Sequence, residues 1–395
     1  MPTPESGDRS MTLWEASAAP GLFTEDGSDL YDRKAVGLAF SGGGYRATLF
    51  HAGAVLRLGE LGILPRLDRI SSVSGGSITA GLLARAWSRL RFDAATGVAD
   101  PALLREHFLE PVKAATARTL DVRVGISGFL PFVSAGNKLA ELYDRHVFEG
   151  TLLGALPERP KFIFNAMNLQ TGGLIRFTRG YIADWRALKA TTRGIRLADA
   201  VAASSAFPPV LAPLRLDLRG EDVVTPEGAR FGNPELHREL VLLDGGVYDN
   251  LGLEPIWKRC GVIIASYAGH NAEAEVSNFT FDHLLPMIYA FLATSIDQRE
   301  RLLVGLFRNR LADGRGERVG AYWTAGTDIE GFALRNGWRP TDADLDAARQ
   351  TPTRLEALSG AAQRVVIEAG YAFADRAIRS NLLPGAPPPA GPPAI

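Results

Sequence analysis

A serine framed by small residues is the first position in this chain that could carry chemistry. Ser74 lies in the run Ser72-Val73-Ser74-Gly75-Gly76, the G-x-S-x-G pattern of a nucleophile elbow with serine in place of the first glycine. The sharp turn of an elbow brings the positions two before and two after the nucleophile nearly into contact. Both must therefore be small, and Ser72 and Gly76 meet that demand. A serine hydroxyl is a weak nucleophile until an adjacent base takes its proton. The intermediate it forms also needs hydrogen-bond donors for its oxyanion.

A donor loop is written upstream, in Ser41-Gly42-Gly43-Gly44-Tyr45-Arg46-Ala47. Consecutive glycines let the backbone reach φ > 0 and turn its N–H groups towards an anion, and a helix N-terminus adds partial positive charge at the same point. Three readings fit. As Gly42-x-Gly44-x-x-Ala47 the loop matches a dinucleotide fingerprint, which requires an acid at the end of a second strand about 20 residues on. Glu60 has the distance but falls on a helix, where it cannot hold a ribose. As an oxyanion hole the loop supplies what acyl transfer at Ser74 would need. As a plain tight turn it binds nothing.

Two kinds of base are available. The histidines are His51, His107, His146, His237, His270 and His283. The α/β-hydrolase order of serine, acid, histidine leaves His270 or His283, while His51 on the first helix reads as structural. The other candidate is Asp244, which closes the apolar run Glu239-Leu240-Val241-Leu242-Leu243 and is followed by Gly245 and Gly246. A carboxylate at a strand terminus beside two glycines sits where ligands bind in open α/β sheets; an Asx turn is the structural alternative.

The elements that must hold these residues follow from periodicity. Ala35 to Phe40, Arg69 to Val73, Lys161 to Met167 and Val262 to Tyr267 are short, nearly continuous apolar runs, as strands covered on both faces should be. Arg46 to Leu61 and Ser77 to Leu90 carry helical spacing, and Gly62 is placed to end the first of them. Strands alternating with helices predict an α/β fold with a mostly parallel central sheet between two helical layers. Phe281 to Leu311 reads as a long helix and Asp342 to Arg379 as a helical pair, both packed against the sheet domain. The predicted organisation is a flexible arm over 1–33 and one catalytic domain over 34–380. Within that domain the core blocks span 35–267 and a helical part spans 279–380. A Pro-rich tail over 381–395 is expected to be disordered, because proline removes donors and fixes φ.

Composition narrows the function classes. Forty-three Lys and Arg residues against 44 Asp and Glu leave a net charge of −1, so no nucleic-acid partner is expected. A single cysteine, Cys260, excludes an internal disulfide and any multi-cysteine metal site. No apolar stretch reaches the roughly 18 residues of a spanning helix. The first residues lack a basic segment followed by an apolar run, so no secretory leader is expected and the expected compartment is the cytoplasm. No cofactor and no metal is implied.

Taken in order, these blocks resemble the patatin-like phospholipase family. Gly42-Gly43-Gly44-Tyr45-Arg46 is similar to its oxyanion block, Ser72-Val73-Ser74-Gly75-Gly76 to its nucleophile block and Asp244-Gly245-Gly246 to its D-G-A/G block. Ala203-Ser204-Ser205-Ala206-Phe207-Pro208-Pro209 looks like a further alanine-serine and proline stretch between them. The resemblance runs over roughly Ala35 to Tyr267 and departs at Ser72 and Ala47, which stand where the family has glycine.

That resemblance implies a Ser–Asp dyad in place of a triad, with Ser74 as nucleophile and Asp244 as general base. The amides of Gly42, Gly43 and Gly44 would hold the oxyanion, Arg46 would add positive charge, and Gly75, Gly76, Gly245 and Gly246 would support the two turns. The implied substrate is a phospholipid or related acyl ester taken from a membrane or micelle surface by transient, peripheral contact. An aspartate at its reference pKa of about 3.9 is a poor base at neutral pH, so Asp244 is expected to be desolvated. Phe129, Leu130, Phe132 and Val133 form a candidate lid or a piece of core. The competing readings are a soluble esterase using His270 or His283, and a protein of the same fold that binds an anionic lipid or nucleotide without hydrolysis.

Overall fold

The computed structural model describes residues 31–120, 134–269, 284–309 and 318–395. Strand β1 (Asp32–Phe40) leads through the glycine loop into helix α1 (Gly44–Glu60), and β2 (Arg69–Ser72) leads through the elbow into α2 (Gly75–Ala86). Helix α3 (Ala135–Tyr143) precedes β3 (Lys161–Asn168), β4 (Gly173–Phe177), β5 (Ile182–Asp184) and β6 (Leu188–Ala190). Then come α4 (Leu197–Ser204), β7 (Leu214–Asp217), β8 (Val223–Val224), β9 (Glu239–Asp244) and β10 (Cys260–Tyr267). The C-terminal part holds α5 (Leu284–Arg308), β11 (Val319–Thr324), α6 (Asp342–Gln350) and α7 (Gly360–Asn381).

The strands form one mixed sheet in the order β11-β10-β1-β2-β3-β4-β5-β6-β8. Its centre, from β11 to β3, is parallel, and the wing beyond β3 is antiparallel. Successive residues of the central strands feed two separate apolar cores. Leu38, Phe40 and Ile264 join the cluster built with α1, α2 and α7, whereas Ala39, Ile263 and Ala265 join a smaller one with Ile256 and Leu303. A period of two with both faces buried is what places a helical layer on each side of the sheet.

The site depends on an unusual arrangement around β3. Its first half pairs in parallel with β2, Ser72 lying opposite Phe164. Its second half pairs in antiparallel with β9, Asp244 lying opposite Ala166. β4 occupies the other edge of β3 along the same residues. β2 and β9 therefore share one edge of β3, run towards each other and end on either side of Asn165. The residues that follow each strand are brought together by backbone pairing alone.

Helix α1 is buried along nearly its whole length, because α7 lies across it. Two glycines allow the crossing. A Cβ on Gly53 would stand 1.9 Å from the Ile367 carbonyl oxygen, and one on Gly370 would stand 1.8 Å from that of Phe50. Gly370→Ala is expected to force the helices apart and destabilise the fold by about 1–3 kcal/mol. A thermal melt reads this directly, and an unchanged Tm would refute the close crossing.

Several expectations are amended. β1 already begins at Asp32, so the domain starts before residue 34; residues 1–30 of the expected arm lie outside the described residues. The long helix over 281–311 is described as α5 from Leu284 to Arg308. β11 extends the parallel sheet where no strand was expected. The tail has no helix or strand, as its prolines dictate, yet it is docked rather than disordered. Arg57 donates to the Pro387 carbonyl at 2.7 Å and the Trp338 amide to the Pro389 carbonyl at 3.0 Å. Proline removes a donor and leaves the carbonyl acceptor.

Candidate active site

Ser74 closes the turn between β2 and α2 with φ 49 and ψ −120, a conformation that costs a non-glycine residue strain and is tolerated where the surroundings fix it. Its neighbours explain why they are small. A Cβ on Gly75 would stand 2.0 Å from the Gly44 carbonyl oxygen, and one on Gly76 would stand 2.6 Å from that of Ser41. The elbow and the glycine loop are thus in backbone contact. The Thr48 hydroxyl lies between the Gly44 and Gly75 carbonyls, at 3.1 and 3.0 Å, and ties the heads of α1 and α2 together. Ser72 is fully buried at the end of β2, where its hydroxyl donates to the Ile163 carbonyl at 3.2 Å.

In the glycine loop, Gly43 and Gly44 have φ of 133 and 54, so both need glycine's freedom. They head α1, in the first turn, where an amide has no intrahelical acceptor. Gly42 differs from expectation. Its Cα faces Ser74, where a Cβ would stand 3.2 Å from the Ser74 Cβ, but its amide donates to the Asn250 carbonyl at 3.1 Å. Arg46 differs too. Its Nη1 donates to the carbonyls of Arg349 at 2.9 Å and Thr351 at 3.3 Å. Burial lowers its pKa from the ordinary arginine value. The loop it holds packs over the glycines, since the Tyr45 amide donates to the Arg354 carbonyl at 3.1 Å.

Asp244 ends β9 and is 3% exposed. Burial pushes its pKa up to about 7, while the Gly246 N–H and the Ser74 side chain, both hydrogen-bonding to the carboxylate, pull it back. The Gly246 amide approaches Oδ1 to 2.6 Å. Gly245 must lack a side chain because a Cβ would stand 2.2 Å from the Asn165 carbonyl oxygen. Asn165 itself, opposite the gap between the two strand ends, donates from Nδ2 to the Ser72 carbonyl at 2.9 Å and to Ser71 Oγ at 2.8 Å. Tyr143 is buried nearby; burial, with a contribution from the Asp244 charge, raises its phenol above the ordinary range.

The histidines among the described residues are employed elsewhere. His51 is buried, stacked on Phe40, with Nε2 3.0 Å from the Ser41 carbonyl and Nδ1 2.9 Å from Ser266 Oγ. Burial pushes its pKa down to about 3, so the ring is neutral, with Nε2–H donating to Ser41. His107 stands beside Glu106, His146 beside Arg118 and His237 beside Thr225. His270 and His283, like Phe129, Leu130, Phe132 and Val133, lie outside the described residues. Glu60 sits on α1 paired with Arg57 and Tyr371, so it is not placed as the ribose-binding acid of the dinucleotide reading.

The structure brings Ser74, Asp244 and the glycines of both turns together. Asn165 joins them, and its sequence signal is a lone amide inside an otherwise apolar strand run, Lys161 to Met167.

The family model described as patatin-like phospholipase matches residues 38–257, which contain every one of these groups. The chain belongs to that family. No curated protein matches it. Among solved structures, the human GIVD cytosolic phospholipase A2 is 12% identical with a TM-score of 0.50, the match covering 88% of this chain and 58% of that one. VipD from Legionella pneumophila is 16% identical with a TM-score of 0.37, covering 88% and 67%. At such identity the first likeness is one of fold, and this patatin-like chain spans less than two thirds of that neighbour's length. Among the described residues, no helix is long and apolar enough to cross a membrane.

Proposed function

We propose that this patatin-like protein is a serine acyl hydrolase that cleaves fatty-acyl esters of phospholipids or related lipids through a Ser74–Asp244 dyad. The observation that carries the reading is a strained serine whose hydroxyl meets a buried carboxylate with a pKa of about 7. A base poised near the working pH is what general-base catalysis favours.

In the reaction, the Asp244 carboxylate takes the Ser74 proton as Oγ bonds to the ester carbonyl carbon. The carbonyl oxygen becomes an oxyanion facing the amides of Gly43 and Gly44, where the positive end of α1 adds to the field. As the intermediate collapses, Asp244 returns the proton to the departing alcohol or lysolipid, leaving an acyl ester on Ser74. Water then gives its proton to Asp244 and attacks that ester. The fatty acid leaves and the proton goes back to Ser74 Oγ. Gly42 serves by yielding space to the nucleophile, and Arg46 by holding the 349–354 loop over the glycines. Membrane or micelle contact follows from the substrate, which must be taken from a lipid surface.

Labelling with a lipid-like fluorophosphonate, followed by peptide mapping across a pH series, tests the reading. A single adduct on Ser74 is expected, its rate rising about tenfold per pH unit and levelling off above about pH 7. No adduct, or a rate that stays flat down to about pH 4, the region of an ordinary aspartate, would sink the proposal.

A further inference from the structure

Ser72, Ser77 and Ser204, outside the dyad, are fully buried around the elbow. Their hydroxyls form a chain whose direction is fixed. The Ser74 amide donates to Ser204 Oγ at 2.9 Å. Ser204 Oγ and Ser77 Oγ are 2.8 Å apart, Ser77 donates to Ser72 Oγ at 2.9 Å, and Ser72 donates to the Ile163 carbonyl at 3.2 Å. Each hydroxyl has one proton. Those of Ser72 and Ser77 are placed, so the proton between Ser77 and Ser204 belongs to Ser204. The chain runs one way from the amide of the nucleophile to the backbone of β3, and hydrogen bonds aligned in this manner polarise and strengthen one another.

Ser204 also reaches the other half of the site. Its carbonyl accepts from the Ser74 amide at 3.1 Å and from the Gly245 amide at 3.3 Å, while the Ala206 carbonyl accepts from the Asp244 amide at 2.8 Å. The C-terminal end of α4 thereby holds the backbones of both Ser74 and Asp244. This gives Ser72 a use that glycine at that position could not fill, because it supplies the final hydroxyl of the chain.

We propose that Ser204 is a positioning residue: the one-way chain Ser204–Ser77–Ser72 anchors it to β3, and it in turn holds the strained Ser74 backbone beside Asp244. The inference rests on the acyl-hydrolase reading for its effect on rate, and on geometry alone for its effect on the Ser74 amide.

A double-mutant cycle of Ser204→Ala and Ser72→Ala tests it, with ester hydrolysis, thermal melting and amide hydrogen exchange over residues 69–78 measured on each variant. Ser204→Ala is expected to lower kcat about tenfold at unchanged KM, the scale of one buried hydrogen bond. Ser72→Ala should lower it less, and the double variant should match Ser204→Ala alone, because one chain can be broken only once. Changes in Tm should likewise fall short of the sum of the single variants, since both residues belong to one hydrogen-bond network. Exchange at the elbow should accelerate about tenfold in both single variants, again the scale of one bond. Multiplying kcat losses, or a wild-type kcat in Ser204→Ala, would overturn the positioning role. Unchanged elbow exchange would overturn it whether or not the protein hydrolyses lipids. Wild-type protein that takes no fluorophosphonate while its variants show the faster exchange would instead remove the acyl-hydrolase reading and leave the chain standing.

Discussion

Asp244→Asn is expected to lower kcat about ten-thousand-fold, the scale on which single catalytic residues act, and to raise stability above about pH 7. The two effects share one cause. Asparagine keeps the shape of the side chain and an oxygen for the Gly246 amide, which sits 2.6 Å from Oδ1, but it cannot take a proton from Ser74. It also removes a charge that the fold buries at a cost. Burial has moved the folded pKa to about 7. In the unfolded chain the group titrates near 3.9, the usual reference. Below about pH 4 both states are protonated and the contribution to stability is complete. Between about pH 4 and 7 the unfolded state ionises first, so that contribution is progressively lost, up to about 4 kcal/mol by pH 8. The asparagine variant has nothing to titrate. Its Tm should therefore exceed that of the wild type by a margin that widens from about pH 4 to pH 7 and then stays level. A margin independent of pH, or activity within tenfold of wild type, would show that Asp244 is not the buried base.

The same residue shows which parts of the molecule could be read from the chain alone. Ser74, Asp244 and the flanking glycines were legible because a strained turn, a helix head and a strand end are local demands. Each writes small residues at fixed offsets, and the close approaches at Gly75, Gly76 and Gly245 are the physical form of those demands. What was not legible depends on partners far apart in sequence. Nothing near Gly42 announces that its amide goes to Asn250, and nothing near Arg46 announces the carbonyls of Arg349 and Thr351. The meeting of β2 and β9 on one edge of β3 is likewise a register between distant strands. β11 could have been found, since Val319-Gly320-Ala321-Tyr322-Trp323-Thr324 is rich in strand-forming residues and buries Ala321 and Trp323 in alternation. The docking of the tail is illegible for a different reason: composition reports what a segment cannot form by itself and is silent on what its carbonyls can bond.

Gly75→Ala should sharply lower activity although the residue takes no part in the chemistry. The added methyl would stand 2.0 Å from the Gly44 carbonyl oxygen and 3.0 Å from its nitrogen, and both are backbone atoms that no rotamer change can move aside. Relief requires the head of α2 to leave the head of α1. Ser74 begins the first of these and the Gly43 and Gly44 amides begin the second, so the displacement opens the distance between the proposed nucleophile and the proposed oxyanion donors. A misplacement of about 1 Å costs on the order of a hundredfold in rate. The loss should fall on kcat, with KM little changed, because the displaced atoms are those proposed to meet the reacting carbonyl. Gly154→Ala, where a Cβ would meet nothing within 4 Å, should leave both constants at wild-type values. If Gly75→Ala fails to fold, Thr48→Val loosens the same contact without a clash, by removing the hydroxyl that lies 3.1 and 3.0 Å from the Gly44 and Gly75 carbonyls. Its expected loss is about tenfold in kcat, one hydrogen-bonded bridge. Wild-type kcat in Thr48→Val, or in folded Gly75→Ala, would mean that the two helix heads need not touch for the serine to react, and the oxyanion donors would then have to be sought outside the glycine loop.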